Sequence, residues 1–76
     1  MIKQIKSQKE IQEKIQTEID LLLNHMEIYE KIKIPIPYRH EMDENNCNWS
    51  INVLPSTEYT NEICMVIAQI RNKYNI

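Results

Sequence analysis

The sequence predicts a small α+β domain in the order α-β-β-α: a long N-terminal helix, a two-stranded antiparallel hairpin and a C-terminal helix. Three observations predict it. Apolar residues fall at helical spacing through residues 1–30, a stretch with neither Pro nor Gly. The spacing changes to alternation on both sides of Asp43-Glu44-Asn45-Asn46. Helical spacing returns after Pro55.

In the first helix the face runs Ile11, Ile15, Ile19, Leu22, Met26 and Tyr29, in steps of three and four. Set in heptads, Ile5, Gln12, Ile19 and Met26 occupy a, and Gln8, Ile15, Leu22 and Tyr29 occupy d. Gln8 and Gln12 weaken the first half of that seam, so only the second half has coiled-coil character. A helix over roughly 3–30 would be about 40 Å long. A compact globule of this chain length is only about 30 Å across. The N-terminal part is therefore expected to overhang and to offer Ile2, Ile5 and Ile11 to a partner.

The hairpin follows. Ile32, Ile34, Ile36, Tyr38, His40 and Met42 alternate with Lys31, Lys33, Pro35, Pro37, Arg39 and Glu41. Both prolines fall on the polar phase, which makes this strand an edge. After the turn, Cys47, Trp49, Ile51 and Val53 form the apolar phase of the second strand. Strands are expected near 33–40 and 47–54, with Tyr38 the cross-strand neighbour of a central Trp49. Pro55-Ser56-Thr57 ends the strand, and Ser56 or Thr57 caps a helix over about 57–73. Its face is Tyr59, Ile63, Val66, Ile67, Ile70 and Tyr74. The chain is then one domain, 1–76, divided as helix 1–30, hairpin 31–54 and helix 56–74. Its expected core is Ile15, Ile19, Leu22, Met26, Trp49, Ile51, Val53, Ile63, Val66, Ile67 and Ile70.

Composition narrows the function. A chain of 76 residues buries only about 60% of its unfolded surface, which argues against a large enclosed active site. With no glycine at all, a phosphate-cradling glycine-rich loop is impossible. Net charge is −2, without the basic excess of a nucleic-acid binder. The charge is blocked: residues 1–16 sum to +2, 17–30 to −4, 31–40 to +3, 41–62 to −5 and 63–76 to +2. Residues 1–16 lack the apolar core of a signal peptide, and no apolar run is long enough to span a membrane. The expectation is a cytoplasmic protein with two reduced thiols. High Ile, Asn and Lys with scarce Gly and Ala point to AT-rich coding DNA.

The residues that carry chemistry are few. His25, His40, Cys47 and Cys64 include no closely spaced ligand pair, so no metal is expected. His40 and Cys47 could face each other across the hairpin, but no third group or oxyanion donor accompanies them. Asp43 and Glu44 sit in an exposed turn, unsuited to acid–base work. No catalytic residue and no cofactor is expected. Lys3, Lys6, Lys9 and Lys14 form a stripe on the first helix that could touch phosphates, diluted by Glu10 and Glu13.

Asn48-Trp49-Ser50-Ile51, with the ending Arg71-Asn72-Lys73-Tyr74-Asn75-Ile76, resembles the close of small phage and prophage proteins of unassigned role. The resemblance covers residues 47–76. It implies a mobile-element accessory protein, such as an inhibitor of host defence, that occupies a partner's surface; no functional residue carries over. The sequence thus leads to a non-enzymatic protein–protein interaction module, expected to be a homodimer. Its candidate contacts are Ile2, Ile5, Ile11, Lys3, Lys6 and Lys9. The alternative is a DNA-associated accessory factor using the Lys3/Lys6/Lys9/Lys14 stripe.

Overall fold

The computed structural model describes residues 3–51 and 58–76. The α+β layout is present: helix α1 (Gln8–His25), an antiparallel pair β2 (Tyr38–Arg39) and β3 (Trp49–Ser50), and helix α2 (Thr60–Lys73). Two further short strands, β1 (Gln4–Ile5) and β4 (Tyr74–Asn75), pair in parallel, Gln4 opposite Tyr74 and Ile5 opposite Asn75. The order is thus β-α-β-β-α-β among the described residues. Because β1 leads into α1 and β4 closes α2, their pairing sets the start of α1 beside the end of α2, and the helices run antiparallel. No helix among the described residues is long and apolar enough to cross a membrane.

Helix α1 is shorter than the periodicity suggests, for reasons found at both ends. At its start, Ser7 Oγ accepts from Glu10 N–H at 3.1 Å while Glu10 Oε1 reaches back to Ser7 N–H at 3.5 Å. This reciprocal cap begins the helix at Gln8 and leaves residues 3–6 free to extend. At its end, Glu27 takes a left-handed φ of 59°. Glu27 N–H then reaches Asn24 O and Ile28 N–H reaches Leu23 O, which satisfies the last carbonyls and reverses the chain. Glycine usually fills that left-handed position; this chain has none, and a glutamate carries it.

Eighteen residues of helix span about 27 Å, which fits inside a molecule measuring 36 × 22 × 20 Å. The expected overhang is therefore absent. Ile11 is 0% exposed and heads a buried stripe with Ile15, Ile19 and Leu23. Met26, placed in the core by the longer helix, lies beyond the last turn and is exposed.

Segment 32–37 is also corrected. It runs extended but pairs with α1 rather than with a strand. Gln8, Gln12 and Gln16, one turn apart, donate from Nε2 to the carbonyls of Pro37 (3.1 Å), Ile34 (2.8 Å) and Ile32 (2.7 Å). Gln16 Oε1 also accepts Ile34 N–H at 2.9 Å, so its amide replaces a strand's backbone. Ile32 and Ile34, from the apolar phase of this segment, are buried and join the core, which the expected core did not include. The alternation then breaks: Pro37 is buried and Ile36 and Tyr38 are exposed. Arg39, not Tyr38, lies opposite Trp49, and Tyr38 lies opposite Ser50. The sheet is only two residues deep there, against the longer strands that the alternation suggests.

One core joins these elements: the α1 stripe, Ile32 and Ile34, Cys47 and Trp49, and Ile63, Val66, Ile67 and Ile70 of α2. Leu22 and Ile51 pack at its margin, and Val53, Ser56 and Thr57 lie outside the described residues; α2 starts at Thr60 with Tyr59 at its N-cap, later than the expected start near 57 capped by Ser56 or Thr57. Trp49 is 0% exposed, donates from Nε1 to Tyr74 O at 3.0 Å and carries the Arg71 guanidinium 5.6 Å above its ring. Asn48 takes both backbone groups of Ile76: its Nδ2 donates to Ile76 O and its Oδ1 accepts Ile76 N–H, both at 2.8 Å.

Candidate functional site

Between the second half of α1 and α2 lies an open groove of about 550 Å³. Leu22 and Val66, both packed on the core, form its floor. Leu21 and Met65 stand on its facing rims, 59% and 65% exposed. On each helix the rim residue adjoins the core residue in sequence, which turns it roughly 100° around the helix, off the buried stripe. The antiparallel arrangement sets Glu18 and Gln69 at one end of the groove and His25 and Glu62 at the other.

The electrostatics of the groove are one-sided. Its titratable lining is Glu18, Glu62 and His25, with no Lys or Arg. Glu62 Oε2 is enclosed and has no hydrogen-bond partner. At the same end the Tyr59 phenol is pushed above its ordinary pKa, first by donating a hydrogen bond to the Glu58 carboxylate, then by burial and the charges of Glu58, Glu30 and Glu62. Three carboxylate charges thus act on one phenol at the start of α2, three residues before Glu62.

A second cluster resembles catalytic machinery. His40 Nε2 lies 2.9 Å from Ser50 Oγ, its Nδ1 lies 2.6 Å from Glu41 O, and Arg71 Nη2 donates to Ser50 Oγ at 3.1 Å. With the Nδ1 proton on the Glu41 carbonyl, Nε2 accepts the serine proton while the serine oxygen accepts from Arg71. This is the nucleophile–base–orienter order. Clefts beside it are lined by His40 on one side and by Arg71 on the other, and Ser50 contributes to neither wall. What the chain of hydrogen bonds does is hold Arg71 across the face of Trp49. Cys47, the nucleophile considered from sequence, is buried and donates its thiol to Trp49 O at 3.3 Å.

The residues singled out from sequence do not form one surface. Ile11 is interior, Ile2 lies outside the described residues, and Ile5 is exposed on β1. Lys3 and Lys6 precede α1. Lys3 Nζ donates to Asn46 O at 2.7 Å and to Asn45 O at 3.3 Å, and Lys6 N–H is used by Asn75 O. Lys9 is exposed in the first turn, while Lys14 Nζ lies 5.0 Å above the Tyr74 ring. The helical lysine stripe is thus reduced to Lys9 and Lys14. His25, His40, Cys47 and Cys64 are not gathered, and no group of three metal-ligating side chains occurs among the described residues. The groove residues escaped the sequence reading, although an apolar residue off the stripe on each helix, Leu21 and Met65, was the visible signal. No family model, no curated protein and no solved structure matches this chain.

Proposed function

We propose that this chain is a non-enzymatic protein–protein interaction module that takes hold of another protein through the α1/α2 groove. The observation that carries the reading is the pair Leu21 and Met65, large apolar side chains exposed on facing rims of a groove whose floor is already core. A water-facing apolar patch with a polar rim is the usual form of a docking surface. The tight closure of the rest of the chain supports the same reading, because the groove is then presented on a fixed scaffold. A mobile-element accessory or inhibitor role in a bacterial cytoplasm is the biological setting proposed. It draws on the 47–76 resemblance and the AT-rich composition.

Photo-crosslinking tests this reading. A photoreactive residue at Leu21 or Met65 should give discrete adducts in the host cell. The same residue at Glu44, on the exposed turn, should not. Equal adducts at all three positions, or none at the groove, would contradict it. A homodimer, formed away from the groove, remains the proposed oligomer; sedimentation velocity across a concentration series checks it, and a chain that stays monomeric throughout would refute it. No overhanging helix supports it, because α1 fits within the molecule. The DNA-associated alternative has lost most of its stripe. A low-salt gel shift by micromolar protein is the result that would revive it.

A further inference from the structure

The groove also constrains what lies in it, and this inference rests on the docking reading above. We propose that the occupant is a cationic amphipathic α-helix of a partner protein. It would lay its apolar side chains on Leu21, Leu22, Met65 and Val66 and reach Glu18 and Glu62 with Lys or Arg.

Both walls are helices whose mid-helix N–H and C=O groups are already paired along the helix, so they offer an incoming chain no sheet edge. A segment buried there must satisfy its own backbone, and a helix does so. A third helix also packs naturally into the furrow between two antiparallel helices.

Glu18 and His25 stand seven residues apart on α1, about 10 Å along the axis. That is two turns of a partner helix. Apolar residues at i, i+3, i+4 and i+7 would span the floor and both rims.

The groove is lined by carboxylates without a Lys or Arg to neutralise them. Beside that lining, the charges of Glu58, Glu30 and Glu62 all act on Tyr59, the residue that precedes α2. Glu62 Oε2 is enclosed without a donor, an arrangement that costs stability in the free protein and that a small side-chain rotation toward an incoming ammonium or guanidinium would relieve. The residues around α1's second half carry the same sign, residues 17–30 summing to −4. An acidic helix would meet repulsion at both ends of the groove; a basic one meets attraction at both.

The test uses the whole chain and two labelled model peptides of about 14 residues with Leu at i, i+3, i+4 and i+7. One carries Lys at its polar positions and the other Glu. Fluorescence anisotropy should show the Leu/Lys peptide binding at least about tenfold tighter than the Leu/Glu peptide, and that preference should shrink as salt rises. The Glu18→Gln/Glu62→Gln variant should lose most of the preference while keeping its circular-dichroism spectrum. Glu18→Lys/Glu62→Lys should reverse it. Leu21→Ser/Met65→Ser should weaken both peptides. Equal binding of the two peptides, or a preference untouched by the glutamine variant, overturns the cationic helix. If groove crosslinks persist in that case, the docking reading stands without it. Crosslinks joining two copies of the chain would put a second copy in the groove and overturn it too. Absence of groove crosslinks removes the docking reading and this inference together.

Discussion

Helix α1 meets the rest of the chain differently on its two flanks. On one, segment 32–37 brings backbone carbonyls and an N–H that no strand pairs, and Gln8, Gln12 and Gln16 take them up. On the other, α2 brings a backbone already satisfied by its own hydrogen bonds, and the contact is apolar and left open beside Leu21 and Met65. The difference teaches where such a small chain is closed. Where backbone groups would be buried unpaired, side chains are committed to them; where none is owed a partner, surface is left for another molecule.

That comparison is broken most readily on the glutamine flank. Gln16→Leu strands Ile34 N–H and Ile32 C=O, each worth about 1–3 kcal/mol when buried unpaired. A loss of about 2–4 kcal/mol in urea denaturation is expected, a large share of the stability of a domain this size. A loss under about 0.5 kcal/mol would show that water replaces the glutamine and that the flank is not closed.

The Asp43 turn applies the same device. Asp43 Oδ1 accepts Cys47 N–H at 3.0 Å and Asn45 N–H at 2.9 Å. The Cys47 N–H is the main reason that its carboxyl is held below the ordinary 3.8; the Asn45 N–H and the charges of His40 and Arg71 add to it against a desolvation penalty. The native state therefore keeps its charge to lower pH than the unfolded chain. The contribution is complete above the ordinary value and disappears as pH falls through the lower native one. Thermal melts from about pH 6 to about pH 2 should show Asp43→Asn, which keeps the acceptor without the charge, with a flatter acid limb than wild type. Parallel limbs would contradict the assignment.

At the end of α1 the left-handed Glu27 turns the chain into the glutamine flank. A non-glycine residue there costs about 1–2 kcal/mol, against about 0.5–1 kcal/mol of extra chain entropy lost by glycine on folding. Glu27→Gly should raise stability by about 0.5 kcal/mol, read as a small rise in Tm. The smallest effect belongs to the open flank. Leu21→Ser/Met65→Ser should leave stability within about 0.5 kcal/mol of wild type, because neither side chain belongs to the core. A loss of several kcal/mol would make the groove part of the folding core.

The layout was legible where hydrophobic period and packing agree. Ile15, Ile19, Trp49, Ile63, Val66, Ile67 and Ile70 fall in the core as their spacing requires. The helix boundaries were less so. Ser7 followed three residues later by Glu10 spells a cap, but the apolar pattern continues past it on both sides and points to a longer helix. The end at Glu27 had no glycine to announce it. The glutamines of the weak heptad seam read as flaws in a coiled coil, because spacing shows only that a polar residue faces inward and not which backbone it serves. β1 and β4 depend on pairing between opposite ends of the chain, which a two-residue strand does not advertise. The groove needed the relative position of two helices, and only Leu21 and Met65, off their stripes, hinted at it.

The most direct test of the account is a site-resolved NMR titration of the whole chain with the Leu/Lys peptide. The account predicts shifts at Glu18, Leu21, Leu22, Glu62, Met65 and Val66, with Gln12, Gln16, Ile32 and Ile34 on the closed flank unmoved. Shifts centred on the glutamine flank, or no shift at the groove at saturating peptide, would contradict it.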